Sequence, residues 1–326
     1  MIHQQDDSTS TVTARSRRDR VGVSIATTGG STIIAMIEKA EAAGVKQVWM
    51  TQNPVTNDSL TVFAAVMGRT NRVRLGTSIV PTYPRHPLVL AQQAATVAAL
   101  GPGRLRLGVG PSHRPIIEGT YGLPMEAPLA HLREYVGVLR DILWNGQVEH
   151  QGRFFTAKAT LSHPPRLPLL TSALGEDAFR LAGEISDGAI SWNCPPSYLL
   201  DVALPALRAG AQAQQRPTPL LVAHAWIALS NDIAAIRAAG KQRLAGYARM
   251  PFYANMFATA GYPIEADGNV SDALIDSLVI RGDEAAVTAR IDELLAAGLD
   301  ELMLTTLPLS DEVVEREQIF DLVGRL

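Results

Sequence analysis

A short set of residues in this chain has the types and spacing to do chemistry. Ser172-Ala173-Leu174-Gly175 leaves an apolar run and enters an amphipathic stretch at Glu176. A helix starting there would turn its first, unbonded N–H groups outward, where they can hold a phosphate; a plain strand-to-helix turn containing a glycine reads the same way. Ser191, at the end of the next apolar run, could add a hydroxyl. His113 follows Gly110-Pro111-Ser112, and an imidazole there can give or take a proton near neutral pH, the alternative being a surface-loop histidine beside Arg114. Gln52-Asn53 ends another run; amides form hydrogen bonds but are not general bases.

Several reaction classes lack the groups they need. These segments hold no carboxylate pair of the kind glycosidases use, and the chain has no Gly-x-Ser-x-Gly elbow. The seven histidines are scattered without ligand spacing, so no metal site is expected, and Lys46 and Lys158 are poorly placed for a Schiff base. Cys194 is the single cysteine, which excludes an intrachain disulfide and a cysteine cage for zinc and fits a reducing cytoplasm. A lone thiol without an identified base is read as inert. By elimination, the chemistry belongs to an organic cofactor acting on a small molecule.

Composition narrows the class further. Of 326 residues 47% are hydrophobic and 19% charged, enough apolar content to fill a large core. A formal net charge of -3 gives no global field for nucleic acid or an anionic membrane, and no apolar run approaches the ~20 residues of a membrane helix. Residues 1 to 20 are read as a disordered polar tail. Arg17-Arg18 precedes an apolar run, as in a twin-arginine signal, but the run from Val21 to Ala26 is only strand-length.

The elements that must position these residues follow from periodicity. Strands are expected at Val21 to Ala26, Gln47 to Thr51, Val73 to Val80, Leu105 to Val109, Leu169 to Ser172, Gly188 to Trp192, Leu220 to Leu229 and Glu301 to Thr306. Helices fall between them: one capped by Ser31, one capped by Asp58 or Ser59, one opened by Pro87, then Glu126 to Trp144, Glu176 to Ile185, Pro195 to Ala213, Asp283 to Ala297 and Ser310 to the end. Gln151-Gly152 marks a hairpin in a first insertion, and residues 240 to 280 form a second, mostly helical one, whose Tyr247, Met250, Phe252, Tyr253, Met256 and Phe257 could roof a substrate pocket or bury a dimer interface. Eight strand-helix units with right-handed crossovers predict an α/β fold, a (β/α)8 TIM barrel with insertions after strand 4 and before strand 8, as a single domain over 21–326. A doubly wound sheet is the runner-up, but Thr27-Thr28-Gly29-Gly30-Ser31 lacks the G-x-G-x-x-G spacing that fold normally shows. In a barrel the active site lies where the strands end, which gathers Thr27-Thr28, Gln52-Asn53, Ser78, Ser112, His113, the Ser172 turn, Ser191 and Thr305-Thr306 at one mouth.

With these residues in place, a family resemblance is visible. Gly76-Thr77-Ser78-Ile79-Val80-Pro81-Thr82-Tyr83-Pro84-Arg85-His86-Pro87, then Leu107-Gly108-Val109-Gly110-Pro111-Ser112-His113, resembles the bacterial luciferase-like superfamily. Within it the chain is most similar to actinobacterial oxidoreductases that use the deazaflavin coenzyme F420. Leu181 to Gly188 and Gly282 to Val287 match further segments, so the resemblance runs from about Val21 to the C-terminus. It implies a TIM barrel, a non-proline cis bond at Ser78-Ile79 behind the deazaflavin ring, and a ring site between Ile79 and the strand carrying Gly110 and Ser112. It places a phosphate at Ala173, Leu174 and Gly175, with Ser191 and Trp192 opposite. His113 and Asn53 are the candidate catalytic residues. Relatives that oxidise sugars or alcohols carry an acidic residue where His113 stands and often an Asp-His pair where this chain has Gln52-Asn53. That difference favours reduction of a C=N or C=C bond. The alternatives are a monooxygenase using reduced FMN and oxygen, and a catalytically silent barrel serving as a binding or assembly protein. Family members are commonly homodimers.

Overall fold

The computed structural model describes residues 15–26 and 29–326. Its main sheet has ten strands, two of them short additions, Val80–Pro81 and Val279–Arg281, which leaves eight among the described residues. These are β1 (Val21–Ile25), β2 (Gln47–Met50), β3 (Arg74–Thr77), β4 (Leu105–Gly110), β5 (Leu169–Ser172), β6 (Gly188–Ile190), β7 (Leu220–Ala228) and β8 (Glu301–Thr306). Each pairs in parallel with the next, and β8 pairs with both β7 and β1, so the sheet closes and the doubly wound alternative is set aside. The register is continuous through the closure, with Val23 opposite both Leu304 of β8 and Val48 of β2.

Close packing explains the glycines of the barrel wall. A Cβ at Gly76 would lie 2.3 Å from the Trp49 ring, and one at Gly108 would lie 2.1 Å from the Thr77 carbonyl oxygen. Trp49, Leu170, Ile190, Val222 and Met303 fill the interior, while a larger apolar cluster lies between the strands and the surrounding helices. Interdigitated layers of large side chains make such a barrel a packed core and not a pore.

Most expected elements stand where periodicity puts them. Glu176–Ile185 is helical, Gln147–Gln151 pairs antiparallel with Thr156–Thr160, and the side chain of Asp58 caps the Ser59–Met67 helix by accepting from Thr61 N–H. Others differ for local reasons. The first long helix spans Gly30–Ala43 with Gly29, not Ser31, at its cap. The third apolar run splits, because β3 ends at Thr77, the Ser78–Ile79 peptide is cis, and pairing resumes at Val80 against Val109. The long helix begins at Pro128 and its last turn, Asp141–Asn145, widens to π spacing. A short helix, Arg114–Gly119, and the added strand Val279–Arg281 were not expected.

The expected tail is the largest difference. Arg17–Arg20 forms a helix against the lower end of the barrel, where Arg20 donates to the carbonyls of Asp300 (2.8 Å) and Leu299 (2.5 Å). Residues 1–14 and the strand-end pair Thr27-Thr28 lie outside the described residues. Among those described, no helix is long and apolar enough to cross a membrane.

Candidate active site

The strand ends open into a cavity of about 890 Å³, walled on one side by the barrel mouth and on the other by the two insertions. Asn53, Ser78, Ile79, Ser112, His113, Ala173, Leu174, Gly175 and Trp192 all line it. Gly110 and Ser191 do not. Gly110 sits just behind the wall, where a Cβ would lie 2.0 Å from Ser172 Oγ and 3.2 Å from Ile79 Cγ1, so its missing side chain lets β4 and β5 meet beneath Ile79. Ser191 is fully buried and its Oγ accepts the His224 N–H at 3.3 Å, which corrects the expectation that its hydroxyl faces a ligand.

The turn after β5 supplies free donors. Ala173 N–H is bound to the Ile190 carbonyl at 3.0 Å, and the helix starting at Glu176 has Gly175 as its cap residue. The N–H groups of Leu174, Gly175, Glu176 and Asp177 therefore find no acceptor in the described protein, and the aligned helix dipole adds partial positive charge at the same place. Glu176 pairs with Arg180 at 2.7 Å, so Arg180 is not a spare cation for a ligand, and Arg114 is likewise paired with Glu118. Asp177 keeps an uncompensated charge on the rim. Across the cavity, Ser78 is nearly buried, and its Oγ has no hydrogen-bond partner. A buried hydroxyl without a partner costs free energy unless a bound group completes it.

The second strand-end pair divides its labour. Gln52 Oε1 accepts from Ser59 Oγ at 2.7 Å and Gln52 Nε2 donates to Asp58 at 3.2 Å, while Arg85 holds the same carboxylate at 2.7 Å. Gln52 is thus an anchor for the helix start, and His86 likewise caps its own helix by accepting Leu88 N–H. Asn53, by contrast, commits only its backbone, to Thr56, and leaves its amide to the cavity.

His113 lies half-buried against Tyr253 and Tyr247, with ring centroids 5.7 and 6.4 Å away. Burial lowers its pKa from the ordinary 6.5, so it is a neutral imidazole at pH 7. Neither ring nitrogen is engaged by the described protein, which leaves both a donor and an acceptor for a ligand. His224 is the opposite case. Its Nδ1 accepts Asn193 N–H at 3.3 Å, so Nε2 carries the proton and donates to Thr305 Oγ1 at 3.0 Å. Full burial pushes it down to about 3, and it is a satisfied core histidine. Cys194 is buried and its thiol is pushed up to about 12, which makes it inert.

Sequence reasoning missed one feature of the wall. Trp192 stacks on His224 with centroids 3.8 Å apart and donates its indole N–H to Tyr247 Oη at 3.0 Å. Of the two readings of the aromatic and Met cluster in the second insertion, a pocket roof or a dimer interface, the structure has the roof: Tyr247, Phe252, Tyr253 and Met256 line the cavity.

A closed parallel eight-stranded barrel with its cavity at the strand ends is the TIM-barrel architecture of an enzyme. The luciferase-like monooxygenase family model matches residues 15–301, and the chain belongs to that family. An F420-dependent glucose-6-phosphate dehydrogenase from Nakamurella multipartita is 37% identical over 205 residues, 58% of this chain and 60% of that protein. The alignable segment thus spans less than two thirds of that relative. A 5,10-methylenetetrahydromethanopterin reductase from Methanolobus tindarius is 26% identical over 286 residues, 81% of this chain and 86% of the relative. The solved coenzyme F420-dependent tetrahydromethanopterin reductase of Methanopyrus kandleri superposes with a TM-score of 0.77 at 23% identity, covering 94% of this chain and 97% of that one, a likeness of fold.

Proposed function

We propose that the chain is a coenzyme F420-dependent oxidoreductase that reduces a C=N or C=C bond of a small organic molecule. The observation that carries this reading is the convergence on one cavity of free N–H groups at Leu174–Asp177, the partnerless Ser78 hydroxyl, the apolar face of Ile79 and the neutral His113. The donor set fits a phosphate-bearing tricyclic coenzyme, and the relatives named for F420 support that choice over FMN. When bound, such a coenzyme supplies a hydride. The residues of the chain do the rest. The Leu174–Asp177 turn binds the phosphate through charge-assisted hydrogen bonds, Ser78 and Ile79 define the ring face, and Asn53 orients the substrate. His113 holds the proton that the substrate takes up, its lowered pKa keeping it in the form that can both donate and accept. Gly110 and Trp192 shape the wall, and Ser191 holds it from behind. Exposed apolar side chains such as Leu100 and Val313 support a homodimer, and the lone buried thiol of Cys194 supports a cytoplasmic setting.

Single-turnover oxidation of reduced F420 against a panel of cyclic imines and enones tests the reading. The expected result is turnover of at least one member, with His113→Gln slowing it roughly 100-fold, the lower range for loss of a general acid–base group, while coenzyme affinity is retained. No turnover of any member, or a His113→Gln protein as fast as the parent, would overturn the reading.

A further inference from the structure

The polar group best oriented for a substrate belongs to the roof. Tyr247 Oη accepts the Trp192 indole N–H at 3.0 Å, which occupies one lone pair and fixes the phenol. Its own O–H has no acceptor in the described protein, and Tyr247 lines the cavity. The fixation continues into the barrel wall: Trp192 stacks on His224, and both nitrogens of that ring are bonded. A rigidly held phenol with a spare proton is a hydrogen-bond donor aimed by the protein.

Its surroundings define what it would meet. Tyr253 packs edge-on against Tyr247 at 4.9 Å, Phe252 and Met256 follow on the Pro251–Thr259 helix, and Leu129 and Leu132 face them from the first insertion. Two cations also line the cavity: Arg243 is exposed to solvent, while Arg316 is largely buried, pairs with Glu312 at 3.2 Å and has a buried Nε without a partner. The roof around Tyr247 itself is aromatic and apolar, and a charged group placed against it would lose hydration without a replacement.

Resting on the F420 reading, we infer that the part of the substrate beneath the roof is a largely apolar ring system with one hydrogen-bond acceptor, and that Tyr247 O–H is the donor that holds this acceptor. Trp192 is the positioning residue that aims Tyr247. In the reduction, two electrons and one hydrogen arrive as hydride from the reduced deazaflavin, the C=N or C=C π bond breaks, and the developing charge on the acceptor is held by Tyr247. The balancing proton comes from solvent and is relayed by the neutral His113, which gives up its ring N–H as its other nitrogen takes a proton.

The test uses a matched pair of probes, 2-acetylnaphthalene and 2-ethylnaphthalene, which differ in the acceptor oxygen. Binding to the intact protein is followed by intrinsic tryptophan fluorescence, with an F420 titration of each variant alongside. The ketone should bind roughly 3- to 10-fold more tightly than the hydrocarbon, the range of one net hydrogen bond. Tyr247→Phe should abolish that preference, Trp192→Phe should reduce it, and F420 affinity should be unchanged in Tyr247→Phe. A ketone that binds no better than the hydrocarbon, or not at all, overturns the inference, as does a preference that survives Tyr247→Phe. Glucose 6-phosphate displacing the ketone at lower concentration than 2-ethylnaphthalene would also overturn it. Failure of F420 to bind with the ketone preference intact would instead sink the coenzyme reading alone.

Discussion

The two ends of the barrel treat polar side chains in opposite ways. At the lower end Arg106 and Glu301 are both buried and bonded at 2.6 Å, Arg106 also donates to Gln47 Oε1 at 2.5 Å, and its guanidinium lies 4.6 Å over the Trp49 ring. Arg15 adds a second cation to Glu301, while Gln47 and Arg74 donate to the Asp19 carbonyl of the N-terminal helix. These groups satisfy one another. At the upper end, Ser78 Oγ, the Asn53 amide, both His113 nitrogens, the Tyr247 proton and the N–H groups after Leu174 are left open. Burial alone does not mark a functional group, since the most buried charges in the molecule are structural. The mark is an unfilled bonding capacity that faces a cavity.

Breaking the lower end should give the largest effect. Glu301→Ala leaves Arg106 buried without its carboxylate and should cost about 3–5 kcal/mol, read as a lower denaturant midpoint. F420 affinity per folded molecule should not change; a loss of affinity without a loss of stability would erase the contrast between the two ends.

Acid should act next. His131 is pushed down to about 4 and His224 to about 3 by burial, below the ordinary 6.5. The unfolded chain therefore binds more protons than the folded one, so stability is full above about pH 6.5 and falls as pH drops towards 4. Thermal unfolding across that window should show the decline, and His224→Gln, which cannot take the proton, should flatten it. An unchanged slope in that variant would mean His224 is not held neutral by the fold.

The upper end is sharpened by removing single donors. Glu176 is the first residue of its helix, where proline is tolerated, and Gly175 before it has the extended backbone (φ -84, ψ 164) that a following proline requires. Glu176→Pro should bind F420 roughly tenfold or more weakly than Glu176→Gln, which keeps the N–H, with similar melting temperatures. Equal affinities would remove the turn from the phosphate site. The smallest effects have opposite signs. Ser78→Ala should weaken F420 a few-fold without loss of stability, and Asp177→Asn should tighten it a few-fold by removing a like charge beside the phosphate. Isothermal titration of both variants measures the pair, and a shift in the same direction for both would contradict the assignment.

The contrast also explains what the sequence made legible. Local signals were enough for the barrel strands, for the Glu176–Ile185 helix and for the donor turn before it, because apolar runs and a glycine at a helix start act within a few residues. The lower end was invisible because it is made by distant partners: Arg106 and Glu301 stand 195 residues apart, and Arg15 and Glu301 stand 286 apart. Arginines read as a tail are the plug of that end. Ser191 was misplaced for a related reason. A strand-end hydroxyl faces in or out according to the next strand's register, and here it meets His224. The Trp192–Tyr247 bond joins the barrel wall to the roof across 55 residues, and no spacing signals it.

The central claim is that the open groups at the upper end are a deazaflavin site. It is tested most directly by fluorescence titration of the purified protein with oxidised F420 and, separately, FMN, at controlled salt. The expected result is saturable F420 binding, tighter than FMN and weakened in Glu176→Pro relative to Glu176→Gln. Preference for FMN would move the chain to the oxygen-using branch of its family, and binding of neither would contradict the account.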